Sequence, residues 1–460
     1  MSTTPPRPTI PAAFDAMEDL RRQLGTKVLQ AQTDMKPYLA DASRAVPDGE
    51  PCAVVLAETT ADVSAALSWA NLNGVPVSVR GAGTGLSGGA VAYRGGLVLS
   101  LASMNRIVSF NPGNRMVEVQ AGVITADIDD RAARYGLMYA PDPASYRTSS
   151  IGGNIATNAG GLRCTKYGVT SDSVVSVEVV LADGTVLDTG TSTRKNVAGL
   201  NLTGLMIGSE GTLGVITSAR LRLVPRPRGV HRTFRASFSS MTEAAAGVTA
   251  IMSTSLAPEV LEILDRDSVE AVERQHPDMA RMPGQAVLLG QFIGQDAEEQ
   301  LAEVRAVLGN AVTFDVSESD NLLEARRFVS SSLSAQGLRA SCDIAVPVDR
   351  LGDIFAEIER IAEANKIRIP TFAHAGDGNL HPGITLPDAS DSSYAQTEDI
   401  LDQLAEAAQR LGGTVTGEHG VGSLKITALA RQLSPENRKL QHRIKWLFDP
   451  NNVLSPRRGI

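Results

Sequence analysis

The residues of this chain best suited to chemistry concentrate in two short motifs. Three of the six histidines fall in His374-Ala375-Gly376-Asp377-Gly378-Asn379-Leu380-His381 and Thr416-Gly417-Glu418-His419-Gly420-Val421-Gly422. In the first, the runs IRIPTFAH and LHPGITL flank Asp377-Gly378, a strong turn pair, so the spacing predicts a β-hairpin with both imidazoles at the base of its turn. His374 and His381 would then form one side of a metal site, with Glu418 as third ligand. Neutral imidazoles plus a carboxylate suit a borderline divalent ion such as zinc, and three protein ligands leave a position open for substrate. The competing reading, ordinary loop or core histidines, fits any one of them taken alone; the two motifs together favour a joint site. Adjacent side chains on a regular strand point to opposite faces, so Glu418 and His419 serve one site only where the backbone is irregular. Gly417, Gly420 and Gly422 permit that.

A different chemistry is written upstream. The run Arg80-Gly81-Ala82-Gly83-Thr84-Gly85-Leu86-Ser87-Gly88-Gly89 follows a β-like segment and contains a literal GxGxxG. A Rossmann turn also needs a helix opening at the third glycine and an acidic residue roughly 20 positions on. Here AVAYRGG and another β-like run follow instead, and no Asp or Glu occurs from Val63 to Val117, while Arg80, Arg94, Arg106 and Arg115 do. A glycine-rich loop in a basic, acid-free stretch suits a pyrophosphate held by backbone N–H groups. Glycines that only make turns are the alternative for a single cluster. Two more clusters follow: Pro141 to Thr170, rich in Ser, Thr, Asn and Gly with Asp142 its one acid, and Gly208-Ser209-Glu210-Gly211-Thr212-Leu213-Gly214-Val215-Ile216. Three such loops in one region predict a large phosphorylated cofactor.

The elements that must position these groups divide the chain into four stretches. Residues 1–45 read as a polar lead with one or two helices, FDAMEDLRRQL having apolar residues at helical spacing. Residues 46–225 carry short β-rich runs between glycine clusters, with one clear helix in TTADVSAALSWANLNG, and VPRPRG reads as the boundary. Over 226–412 strand and helix patterns alternate, predicting an α+β domain with an antiparallel sheet. Residues 413–460 read as a helical segment with a loop-like tail, FDPNNVLSP, that completes the site.

Composition narrows the function. With 43 basic against 51 acidic residues among 460, the net charge is -8, which argues against a general nucleic-acid or anionic-membrane binder. Cys52, Cys164 and Cys342 lie far apart, so no CxxC pair, zinc ribbon or iron–sulfur run exists. No stretch approaches 18 uninterrupted apolar residues, and the amino terminus lacks a basic n-region and apolar h-region. A soluble protein in a reducing, cytoplasmic compartment is expected.

In combination, VRGAGTGLSGG, PDPAS, SSIGGNIATNAGG, KYG and GSEGTLGVIT resemble the FAD-binding domain of the vanillyl-alcohol oxidase superfamily, which binds flavin between two α+β subdomains. The resemblance implies that Arg80 to Gly89 wrap the pyrophosphate, that Pro143, Ala144, Ser145, Gly152, Gly153, Asn154 and Asn158 line the flavin, and that Gly168 belongs to the same set. Glu210, Gly214 and Ile216 would hold the adenosine side and ring edge. The pyrophosphate loop lacks the histidine by which some relatives attach flavin, which implies non-covalent FAD. FAHAGDGNLHP, GTVTGEHGVGSLK and the FDPNNVLSP tail are similar to the FAD-linked D-lactate, glycolate and D-2-hydroxyglutarate dehydrogenase group, extending the resemblance over almost the whole chain. It implies His374, His381 and Glu418 as ligands of a zinc-like ion and His419 as base. LEARRF resembles the segment that supplies an arginine for the substrate carboxylate, which assigns Arg326, with Ser330 one helical turn on as helper; Arg327 is an equal choice by charge alone. Relatives specific for 2-hydroxyglutarate carry a lysine where Ser341 aligns and an asparagine where Gly383 sits, and the absence of both here argues against a distal carboxylate on the substrate.

The expected function is therefore FAD- and metal-dependent oxidation of a D-2-hydroxy acid, like D-lactate, glycolate or D-2-hydroxyglutarate, to the 2-oxo acid by hydride transfer to flavin N5. Electrons would pass to a separate acceptor, a soluble carrier or a quinone-linked partner, and a homodimer is a family-level expectation. The rivals are an oxidase using oxygen, an enzyme resembling alkyl-dihydroxyacetone-phosphate synthase, and a non-catalytic flavin-binding subunit. Retention of all four metal-site and base residues argues against the last.

Overall fold

A computed structural model describes residues 14–279, 281–386, 388 and 390–460. Its helices and sheets form an α+β fold, with three main sheets and one two-stranded pair among the described residues. The first sheet has the order Val28–Leu29, Ala53–Leu56, Leu97–Ser100, Val77–Arg80, and its last three strands run parallel. Those strands are almost wholly buried, as parallel strands covered on both faces must be. The helix Thr60–Asn73 packs on them through Val63, Ala66, Leu67, Trp69 and Ala70. A capping box between Thr59 and Asp62 starts it, and Gly74, at φ 62°, ends it. The glycine loop leaves the carboxyl end of Val77–Arg80 and runs to the next strand without an intervening helix.

The tail FDPNNVLSP is not loose. Val77 N donates to Val453 O at 2.7 Å and Ser455 N donates to Val77 O at 3.0 Å, so the tail lies beside the strand that launches the glycine loop. Asp449 holds it in shape, accepting from Val453 N and Leu454 N.

The second sheet is antiparallel, in the order Ile107–Asn111, Met116–Gln120, Val215–Arg222, Val174–Val180, Val186–Asp188. The Gly208–Gly214 loop feeds its central strand. The stretch 141–170, expected as a donor-rich loop, also contains the helix Ile151–Thr157. Two glycines do not prevent it because Ile151 and Ile155 enter the core, and Gly152 rests where a Cβ would meet Ala121 at 2.6 Å.

The third sheet places the histidines. Its strands run Thr313–Ser317, Val230–Phe238, Ala286–Gly294, Val260–Asp265, Thr371–His374, Asn379–Thr385, Arg339–Ser341, all antiparallel. One face packs on the helices Met241–Met252, Leu351–Asn365 and Asp391–Arg410. The other is covered by Arg266–Gln275 and Glu324–Ser334. Along Val260–Asp265, Leu261 and Ile263 face the first layer while Val260 and Leu264 face the second. Glu262 therefore points among the second layer's helices. No described helix is long and apolar enough to cross a membrane.

Candidate active site

A cleft of about 230 Å³ opens where the glycine loops converge. Residues 81–87 and 89, Pro143, Ala144, Ser145, Gly152, Gly153, Asn154, Glu210, Gly214 and Ile216 line it. The absence of Cβ atoms is a packing requirement here. On Gly81 one would stand 2.2 Å from Ser150 Oγ, and on Gly83, at φ +75°, it would meet the Arg80 guanidinium at 2.1 Å. Arg80, Gly88, Asn158 and Gly168 do not line the cleft. Arg80 instead donates to Ala40 O at 2.6 Å, tying the loop's root to the amino-terminal segment. Asn158 accepts from Ser171 N at 2.8 Å, and Gly168 ends a short helix against Asp172. Sequence reasoning passed over Ser150, whose hydroxyl accepts from Ala82 N at 3.3 Å and joins two of the loops.

Glu210, expected at the adenosine side, reaches the cleft but spends its carboxylate elsewhere. It accepts from Val421 N at 2.8 Å and Gly422 N at 2.7 Å. Burial raises its pKa, and these two bonds oppose the rise. From the other glycine loop, Ser87 Oγ donates to Gly420 O at 2.8 Å, and Gly422 sits where a Cβ would meet Ser87 O at 1.9 Å. Glu210 and Ser87 thus clamp the Glu418–Gly422 backbone against the cleft, which Glu418 and His419 also line.

Behind this loop lies the hairpin. Thr371–His374 and Asn379–Thr385 pair in register, with His374 opposite Asn379, and Gly378 makes the turn at φ +79°. His374 also faces Glu262 across the sheet, and its Nδ1 lies 2.8 Å from Glu262 Oε1. A carboxylate there fixes a proton on Nδ1 and turns Nε2 toward Glu418. Glu418 Oε1 stands 3.6 Å from His374 Nε2, 3.4 Å from His381 Nε2 and 3.7 Å from His419 Nε2.

These spacings fit a bound cation. An ion about 2.1 Å from each ligand in a tetrahedral array separates the ligand atoms by roughly 3.4 Å. Burial holds the His381 imidazole's pKa well below the ordinary value, so it is neutral and can present a lone pair at the Nε2 that faces Glu418. Burial would raise the Glu418 carboxyl, but the adjacent imidazoles, His374 foremost, keep it at about 2. His374 shows the converse: burial alone would lower it, yet Glu262 and Glu418 hold it well above the usual imidazole range. The pocket favours positive charge.

Asp343, His381 and His419 also lie close enough together to share an ion. Asp343, however, is already filled. Its oxygens accept from Gly417 N, His419 N, Thr416 Oγ1 and Asn379 Nδ2, and Lys425 Nζ lies at 3.3 Å. It organises the irregular backbone on which Glu418 and His419 reach one site. That role, and Glu262's, escaped sequence reasoning; the available signal was a lone acid inside an apolar run, VLEIL and CDIAVPV.

The arginine positions differ sharply. Arg326 is buried, donates from Nε to Glu262, and has its Cζ 4.5 Å from the centre of the Phe372 ring. Ser330, one turn on, is exposed. Arg327 is exposed and pairs loosely with Asp320 at 3.6 Å.

The chain matches two family models, "FAD binding domain" over residues 51–190 and "FAD linked oxidases, C-terminal domain" over 229–458. It is 38% identical over 417 residues to the glycolate oxidase subunit GlcD of Bacillus subtilis, covering 88% of both chains. It is 37% identical to a D-lactate dehydrogenase of Archaeoglobus fulgidus, covering 88% of this chain and 90% of that one. A D-2-hydroxyglutarate dehydrogenase of Xanthomonas citri is 33% identical, covering 88% of each. Among solved structures, p-cresol methylhydroxylase superposes with a TM-score of 0.81 at 18% identity, covering 97% of this chain and 96% of that one. That likeness is one of fold.

Proposed function

Because the chain belongs to the FAD-linked oxidase family and is an FAD-dependent oxidoreductase, we propose that it oxidises a D-2-hydroxy acid of the D-lactate or glycolate kind to the 2-oxo acid. A divalent ion would be held by His374, His381 and Glu418, a donor set suited to zinc. One observation carries the reading: Glu418 and His419 line the glycine-loop cleft while Glu418 also faces both hairpin histidines. Substrate beside that loop would touch cofactor, ion and base together.

FAD, when bound, supplies the acceptor for the hydride leaving the substrate's Cα, and the ion, when bound, supplies a charge that lowers the pKa of the hydroxyl. The chain's own groups do the rest. Residues 81–87 would offer backbone donors to a pyrophosphate. Apart from His419, the described residues lining the cleft include no histidine, cysteine or tyrosine, which supports non-covalent FAD. His419 takes the hydroxyl proton at Nε2 as general base. Arg326 has Nε committed to Glu262, so its terminal Nη groups remain to hold the substrate carboxylate and orient the Cα–H. The three cysteines are unpaired, in keeping with a reducing cytoplasm. They are too dispersed to hold a cluster, so electrons leave to a separate acceptor, a soluble carrier or a quinone-linked partner.

The test is anaerobic: holoprotein mixed with D-lactate or glycolate should yield one 2-oxo acid per FAD reduced. Flavin left oxidised by every D-2-hydroxy acid tried would remove this function. Rapid reoxidation in air would identify an oxidase.

A further inference from the structure

The helix Pro435–Phe448 is anchored along one side only. Ser434 caps it, accepting from Asn437 N at 3.2 Å, and Pro435 opens its first turn, where no backbone donor is needed. Ile444 and Phe448 pack against the core of the second sheet, and the buried Lys445 beside them donates to Thr212 O and Leu454 O, both at 2.8 Å. The other side faces water. Every residue from Pro435 to Leu440 is exposed, and so are Arg443, Trp446 and Leu447. Arg438, Lys439, His442, Arg443, Trp446 and Leu447 recur at intervals of three and four, which puts them in one stripe along the helix. Among the described residues, no other element contributes to the shallow groove this stripe forms.

The stripe joins two features that a free surface rarely combines. Trp446 is 62% exposed and Leu447 79%, large apolar side chains held in water. Arg431 and Lys445 pair with nearby acids, whereas Arg438, Lys439 and Arg443 pair with none among the described residues. Glu436 is the helix's only acid. A chain of net charge -8 thus gathers unpaired positive charge and a tryptophan on one open ridge. Charge and area decide what covers it. A second copy would set three cations against three cations. A protein partner needs roughly 800 Å² on each side, while one helix face about 21 Å long and 10 Å wide offers only about 200 Å². An anionic lipid surface requires neither opposite side chains nor a wide footprint: arginine and lysine reach its phosphates, and tryptophan rests at headgroup level.

We propose that this stripe docks the protein reversibly on an anionic lipid surface, with the helix lying in the headgroup plane, Trp446 and Leu447 inserted, and Arg438, Lys439 and Arg443 at the phosphates. The proposal goes beyond the reaction above and depends on neither substrate nor metal. The chain's overall negative charge does not forbid it, because repulsion from distant acids is screened beyond about 8 Å at physiological ionic strength. Docking of this kind brings the flavoprotein to the surface where a quinone-linked acceptor is met.

The test sediments the FAD-loaded protein with phosphatidylcholine vesicles and with vesicles in which about a third of the lipid is phosphatidylglycerol. Only the anionic vesicles should carry it down, and added salt should release it. The double variant Lys439→Glu, Arg443→Glu should lower partitioning on the order of 10²-fold, since each surface cation is worth about 5-fold and reversal adds repulsion. Trp446→Ser should lower it by about 10-fold. Of the two tryptophans, Trp69 is 3% exposed and donates to Ala16 O at 2.7 Å, so a fluorescence shift on binding reports Trp446. That shift should be toward shorter wavelength. Equal FAD content in all variants verifies folding. No binding to the anionic vesicles, equal binding to both kinds, or binding that survives the double variant would overturn the proposal. Binding to poly-glutamate without binding to vesicles would give the stripe to an acidic protein instead. A lipid-free dimer that the double variant dissociates, seen by light scattering, would give it to a second copy; either result overturns the lipid assignment.

Discussion

Glu262 stands directly across the sheet from His374, and its carboxylate joins His374 Nδ1 on one side and Arg326 Nε on the other. One buried acid therefore sets the tautomer of a candidate metal ligand and the orientation of the arginine assigned to the substrate. Glu262→Gln should weaken metal binding by about 10- to 100-fold, read by competition with a chelator. It should also cost about 3–5 kcal/mol of stability, because it leaves Arg326 buried without its counter-charge.

His419→Ala should leave metal and FAD in place and slow flavin reduction by about 10² to 10⁴, the range for losing a general base. The deficit should shrink as pH rises and hydroxide takes over the proton. Stopped-flow traces across pH, with metal content checked, decide this; a variant that loses its metal would move the base to another residue.

Glu210→Gln should weaken metal binding although Glu210 is no ligand. An amide has one acceptor oxygen for two backbone donors, Val421 N and Gly422 N, and turns an NH₂ toward one of them. The loop carrying Glu418 should loosen. Metal titration and FAD retention measured together would show both falling; unchanged values would separate the clamp from the site.

Much of this was readable in the sequence because it is local. Asp377-Gly378 dictates a tight turn and thereby the approach of His374 to His381, and glycines at 417, 420 and 422 announce an irregular backbone. What stayed hidden depends on partners remote in the chain. Glu262 reads as one acid in an apolar strand until folding brings His374 opposite it. Asp343 looks unremarkable until the Gly417–His419 backbone wraps it. Arg80 has the right charge for a pyrophosphate, but its Nη1 donates to Ala40 O, forty residues earlier in the chain.

Asp265 gives a pH signature away from the candidate metal site. Its carboxylate accepts from Ser268 N at 2.8 Å and Thr371 N at 2.7 Å, yet burial pushes its pKa up to about 7. The folded chain thus holds a proton that the unfolded chain has released. The stability this group contributes is full below about pH 4 and falls as pH rises through 7, by about 4 kcal/mol at most. Asp265→Asn should be less stable than wild type at pH 5, and the gap should narrow by pH 8 in denaturant titrations.

The central claim, that a Glu418-centred ion and the FAD cleft act on one D-2-hydroxy acid, meets its most direct test in anaerobic stopped-flow absorbance before and after chelation. The account predicts that D-lactate bleaches the flavin of the metal-loaded protein, that the L enantiomer does so far more slowly, and that chelation abolishes bleaching while FAD stays bound. Full-rate bleaching after verified metal removal, or equal rates for the two enantiomers, would contradict it.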